Sequence, residues 1–244
     1  MNDAASSIGI DAARIWAVIS VETSGTGFLP DRRPKILFER HVFSRLTGGK
    51  YDRLHPKISD PDPGGYGDPG AHQYERLQDA MALDRDAALK SASWGIGQIM
   101  GFNHEAAGFP DVEEMISRMK DSEHEQLVAM MKFLKSGNLD EPLRRKDWGA
   151  FAKGYNGSDY AKNEYDRKLS SCYEKYSKGK LPDLDVRAVQ LYLAYLGYDP
   201  GQIDGVFGQR TLAALNQFLE KEGKPQAGSI NADVLGLLES RVRI

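Results

Sequence analysis

Ile15, Val18 and Ile19 recur at helical spacing and predict a helix from about Asp11 to Glu22 with one face in a core. Glu22 falls four residues after Val18 and seven after Ile15, so its carboxylate lies on the apolar stripe. Thr23-Ser24-Gly25 then ends the helix, with Gly25 suited to a left-handed cap. Lys35 to Arg40 holds the apolar run Ile36-Leu37-Phe38, a strand or a buried extended segment, and His41 to Leu46 suits a helical turn. From Thr47 to His72 the chain is rich in Gly, Pro and Asp, and such a loop is either a cleft wall or lid or a mobile decoration. Helical patterning returns over Tyr74–Leu89 and again over Trp94–Met100.

Ser122 to Glu125 has the form of a capping box for a helix that buries Leu127, Met130, Met131 and Leu134. Further helices are predicted around Trp148–Tyr155 and from about Tyr160 to Tyr176. Ser177 to Asp183 has linker composition. After it, stripes through Val186, Val189, Leu193 and Leu196, through Leu212, Leu215 and Leu219, and through Val234, Leu235 and Leu238 predict three short helices around a small core. The fold class is therefore mainly α with a small extended or β element, followed by a three-helix bundle.

Composition narrows the function classes. The chain has 244 residues, 41% hydrophobic and 27% charged, as in an ordinary globular protein. A formal net charge of −3 gives no bulk attraction to nucleic acid or anionic membrane, so neither is expected as a partner. The single cysteine, Cys172, allows no internal disulfide and fits synthesis in a reducing compartment. No apolar run approaches the roughly 20 residues that span a bilayer, and Met1-Asn2-Asp3-Ala4-Ala5 lacks a secretion signal's basic and apolar segments. Synthesis in the cytoplasm without a signal peptide is the expectation.

No pair among the five histidines has metal-ligand spacing, so neither a metal nor another cofactor is expected. Gly95-x-Gly97 lacks a third glycine and follows no clear strand, which removes a dinucleotide loop. Cys172 has no base beside it, and there is no Gly-x-Ser-x-Gly elbow. Carboxylate chemistry remains. At a helix C-terminus and on a buried stripe, Glu22 feels desolvation and the negative end of the helix dipole; both raise its pKa toward the range of a general acid. A carboxylate that reaches past the helix end into water is the competing reading.

Three separated pieces resemble the lysozyme superfamily: Glu22-Thr23-Ser24-Gly25, Ser93-Trp94-Gly95-Ile96-Gly97-Gln98-Ile99, and Ala152-Lys153-Gly154-Tyr155-Asn156-Gly157. More closely, Gly27-Phe28-Leu29, Pro34 to His41 and Ala92-Ser93-Trp94-Gly95 resemble the N-acetylmuramidase family of phage endolysins, in order and over most of residues 10–176. The resemblance implies that Glu22 protonates a glycosidic oxygen, as in lysozyme. It also implies that Ser93, Gln98, Tyr155 and Asn156 line the cleft, although Gln98 and Asn156 also suit satisfying backbone groups. Trp94 reads as core. Glu39 is the leading second carboxylate, as base or oxocarbenium stabiliser, unless Arg33 or Arg40 pairs with it structurally. Asp31, nine residues after Glu22, reads as a coincidental match.

The C-terminal part resembles a peptidoglycan-binding domain through Val189-Gln190, Leu193, Leu196-Gly197-Tyr198, Ile203 to Gly208, Thr211 and Phe218. There Asp204-Gly205 reads as a turn, and Asp204 or Thr211 as a helix cap. The expected organisation is a lysozyme-like muramidase domain over residues 1–176, a linker over 177–183 and a peptidoglycan-binding domain over 184–244. By resemblance this is a monomeric, modular endolysin that cleaves the β-1,4 bond from N-acetylmuramic acid to N-acetylglucosamine and reaches the wall through a holin lesion. A lytic transglycosylase, whose substrate closes a 1,6-anhydro ring and needs one acid, is the first alternative. A non-catalytic wall-binding protein is the second.

Overall fold

The computed structural model describes residues 1–23, 25–157, 161 and 163–242. The expected helix end at Ser24 and helix start at Tyr160 lie outside the described residues. Helix α1 (Asn2–Ser7), not anticipated from the pattern, leads into α2 (Ala12–Thr23). Asp11 caps α2 by accepting a hydrogen bond of 2.9 Å from the Arg14 N–H. Ile15, Trp16, Val18 and Ile19 are buried on the predicted stripe. Helix α10 (Tyr165–Lys178) packs along α2, where Tyr176 meets the Trp16 ring at 6.4 Å and the Ser20 hydroxyl at 2.8 Å.

Strand β1 (Ile36–Phe38) confirms the extended reading, and α3 (Arg40–Leu46) follows it. Tyr74–Leu89 is divided between α4 (His72–Leu83) and α5 (Arg85–Lys90), because Asp84 leaves the helical region and caps α5 through Ala87 N–H. The helix expected over Trp94–Met100 is absent. The segment forms β2 (Ala92–Trp94), a tight turn and β3 (Ile99–Met100), so Gly95 does follow a strand, but one that turns back into another strand. The antiparallel sheet has order β1-β2-β3, with Leu37 opposite Ser93 and Ser93 opposite Met100. Gly95 explains much of the override. Gly95 takes φ +69°, where a side chain is strained, and a Cβ there would approach the Gln126 amide to 2.8 Å.

The loop after α3 is stapled down. Arg40 pairs with Asp60 at 2.9 Å and donates to Gly64 O at 2.9 Å, while Gln73 donates to the Tyr66 and Asp68 carbonyls at 2.7 and 2.8 Å. These contacts hold the loop against α3 and α4. Helices α6 (Val112–Met119), α7 (Glu123–Ser136), α8 (Asp140–Arg145) and α9 (Trp148–Asn156) complete the larger body. Ser122 caps α7 through Glu125 N–H as predicted, but the Glu125 carboxylate pairs with Arg118 at 2.8 Å. Trp94 is 2% exposed and belongs to the core.

Helix α10 runs on to Lys178, so the connection to α11 (Leu184–Tyr195) is shorter than the composition implied. Helices α12 (Gln209–Lys221) and α13 (Ala232–Val242) complete the predicted trio around Val189, Leu193, Leu215, Phe218 and Leu238. Neither expected residue caps α12: Gly208 occupies the cap, Asp204 forms a turn to Val206 N–H, and Thr211 donates to Pro200 O. This second core is small, and a small unit gains from further docking. Leu181 and Leu184 pack against the larger core. Among the described residues no helix is long and apolar enough to cross a membrane.

Candidate active site

The last turn of α2 presents Glu22, and the C-terminal turn of α9 presents Asn156. The Asn156 side-chain amide donates to both Glu22 carboxylate oxygens, at 3.1 and 3.3 Å. Burial pushes the Glu22 pKa from 4.5 up to about 7, against the opposing effect of the Asn156 hydrogen bond. Desolvation wins because a single neutral donor replaces only part of the lost hydration. The Asn156 Oδ1 is buried with no hydrogen-bond partner among the described residues, which leaves an acceptor beside the carboxyl group.

Tyr155 precedes this donor. Its hydroxyl gives a hydrogen bond of 2.5 Å to Gly97 O, and burial, followed by the Glu22 charge, pushes its pKa well above 10. Burial, followed by the Glu22 charge, also raises the Tyr165 pKa. Both phenols stay protonated, and Tyr155 serves as a donor, not as a base.

The turn between β2 and β3 forms the adjoining wall. Ser93 Oγ donates to Gln98 Oε1 at 3.0 Å, while Gln98 Nε2 donates to Gly95 O at 2.8 Å and Lys35 O at 3.3 Å. Gln98 adopts φ +46°, a left-handed conformation that these bonds hold in place. Gln98 thus satisfies backbone groups, and in doing so it fixes the turn that accepts Tyr155.

Thr23, Gly27 and Lys35 lie in segments of the sequence that carry the resemblance, without a role of their own, and Gln126 carries no signal at all. Thr23 is fully buried, and its hydroxyl donates to Ile96 O at 3.0 Å, which ties the residue after Glu22 to the turn. Lys35 Nζ donates to Thr23 O. Gln126 accepts from Ile96 N–H at 2.7 Å and donates to Gly27 O at 3.3 Å; a Cβ on Gly27 would collide with that amide. These are contacts between distant segments, which periodicity does not report.

Glu39 immediately precedes α3. Its backbone N–H donates to Ser91 O at 2.9 Å, and its carboxylate lies 3.3 Å from His41 Nδ1. Burial raises its pKa, opposed by His41 and Arg45. Neither arginine considered in the sequence pairs with it: Arg33 pairs with Asp31, and Arg40 with Asp60. That surface pair also accounts for Asp31, whose pKa Arg33 lowers. Glu22 and Glu39 thus have different polar neighbours. Among the described residues no group of three or more His, Cys, Asp or Glu side chains could hold a metal ion.

The N-acetylmuramidase family matches residues 11–177, and a peptidoglycan binding domain family matches residues 182–238. Among solved structures, the crystal structure of Burkholderia AP3 phage endolysin is similar, with 42% identity and a TM-score of 0.66. The match covers 72% of this chain and 68% of that one. A comparison with curated proteins gives no match.

Proposed function

The chain belongs to the N-acetylmuramidase family, and from that premise we propose that this peptidoglycan hydrolase cleaves the β-1,4 bond between N-acetylmuramic acid and N-acetylglucosamine. The observation that carries the reading is the Glu22 carboxyl group, held near pKa 7 by burial and oriented by Asn156. At neutral pH a substantial fraction is protonated, so Glu22 can deliver its proton to the leaving glycosidic oxygen. As the proton leaves, Asn156 Nδ2 steadies the carboxylate that forms.

Ser93 and Gln98 support the cleft wall in this reading, and Tyr155 locks that wall to α9. Glu39 is the proposed second carboxylate, activating water or stabilising positive charge on the sugar ring. Residues 1–176 serve as the cutting module and 184–244 as a wall anchor, so that tethering raises the local substrate concentration. The second reading is a lytic transglycosylase working with Glu22 alone, since the Glu22–Asn156 pair by itself supplies an oriented acid. Mass spectrometry of digested sacculi separates the two. Hydrolysis predicts reducing N-acetylmuramic acid ends; a 1,6-anhydro end on every product would overturn the hydrolase reading.

A further inference from the structure

We propose that Arg187, on the first helix of the C-terminal bundle, is a positioning residue for Glu22, so that the bundle completes the catalytic end of α2. The inference rests on the reading of Glu22 as the acid. Arg187 is 4% exposed. Its guanidinium forms a fork with Glu123, Nε to Oε2 at 2.7 Å and Nη2 to Oε1 at 2.9 Å. The same Nη2 donates to Gly25 O at 2.9 Å, and Nη1 donates to Ile203 O at 3.1 Å within its own bundle. The guanidinium also lies over the Trp16 ring of α2, 5.6 Å from its centroid. Glu123 in turn accepts from Gly27 N–H at 2.8 Å.

Both members of the ion pair therefore grip the chain just after Glu22, one at Gly25 and one at Gly27. Lys35 holds the carbonyl between them and the acid, at Thr23. Lys35 thus meets a carbonyl of the last turn of α2, where the helix leaves acceptors unsatisfied and its dipole is negative, and Arg187 meets one two residues beyond it.

Burial distinguishes this pair from the surface ones. The side chains of Arg187 and Glu123 are each 5% exposed, against 42% each for Arg33 and Asp31. A surface pair of that kind contributes little to stability. A buried pair has a large desolvation cost, and apolar side chains of similar size are often as stabilising. What apolar side chains lack is the forked, directional geometry that fixes a backbone carbonyl and an N–H at once. Forked arginine pairs also occur on the surface, as between Arg85 and Glu113; this buried one grips the chain just after the acid and draws half of itself from the bundle. Misplacing a catalytic group by about 1 Å can cost about a hundredfold in rate. Loss of the clamp should therefore appear in kcat and leave substrate binding alone.

The test uses the full chain on soluble, uncross-linked glycan strands, so that wall anchoring does not enter. Arg187→Lys keeps the charge pair but cannot reach Glu123, Gly25 and Ile203 together. Arg187→Met combined with Glu123→Met replaces the pair by apolar bulk. Both are expected to lower kcat at least tenfold with KM and sacculus pull-down unchanged, and the lysine variant should lose less. Should the double variant fail to fold, the lysine variant decides. Parent-like kcat in a variant with the parent's circular dichroism, or a loss confined to KM or to pull-down, would overturn the inference. Glu22→Gln is run alongside. An inactive Glu22→Gln with fully active Arg187 variants rejects the clamp alone, whereas an active Glu22→Gln overturns the acid assignment and the clamp with it.

Discussion

Asn156 reaches across 134 positions of sequence to donate to both oxygens of the Glu22 carboxylate. This one contact joins the C-terminal ends of α2 and α9, and it acts on the acid in two ways. It orients the carboxyl group, and it opposes the burial that holds the pKa near 7.

Asn156→Ala removes the opposing effect and leaves burial. The Glu22 pKa should rise further, so the alkaline limb of the pH profile of kcat/KM, which reports the free enzyme, moves above about 7. The rate itself should fall about tenfold to a hundredfold, the scale of a hydrogen bond to a charged group. A profile measured on soluble glycan strands checks both. A limb that stays in place or moves to lower pH contradicts the assignment of Asn156.

A raised carboxylate also sets a stability slope. The folded state holds the Glu22 proton up to about pH 7, while the unfolded chain releases it near 4.5. The contribution is full below pH 4.5 and is lost as pH rises through 7, because the unfolded chain binds fewer protons in that window. The shift corresponds to about 3 kcal/mol. Glu22→Gln abolishes this slope, so the variant should be more stable than the parent at about pH 8, by up to that amount, and the advantage should shrink toward pH 5. Urea melts at the two pH values measure it. An advantage that does not depend on pH argues against a buried, protonated Glu22.

Much of this site was legible in the chain before any coordinates. The Ile15–Val18–Ile19 stripe left open whether Glu22 is desolvated or reaches into water, and burial decides for the first; Tyr155 lay on a predicted helix, with Asn156 next to it. Trp94–Met100 was not legible as a hairpin: its apolar spacing suits a helix, and the deciding facts are the positive φ of Gly95 and Gln98 and the Gln126 amide pressed against Gly27 and Gly95. Arg187 illustrates the other limit. It sits among apolar residues of α11 and looks like an ordinary exposed charge, until the bundle brings it to Glu123 and Gly25. Local pattern records which face is buried; it carries nothing about which distant backbone group a side chain will meet.

Glu39→Gln tests the second carboxylate. If Glu39 activates water or stabilises the sugar cation, kcat on soluble strands should fall about a hundredfold or more, with sacculus pull-down unchanged. A variant with the parent's rate and anhydro products would remove Glu39 from the mechanism and leave Glu22 acting alone.

The central claim is that Glu22 is the acid that cuts the glycan. It is tested most directly by incubating purified sacculi with the parent and with Glu22→Gln and following the release of reducing N-acetylmuramic acid ends. The expected result is steady release by the parent and a loss of about a thousandfold in the variant, within the range for removal of a general acid, with both proteins bound equally to the sacculi. Release by Glu22→Gln at the parent's rate would contradict the account.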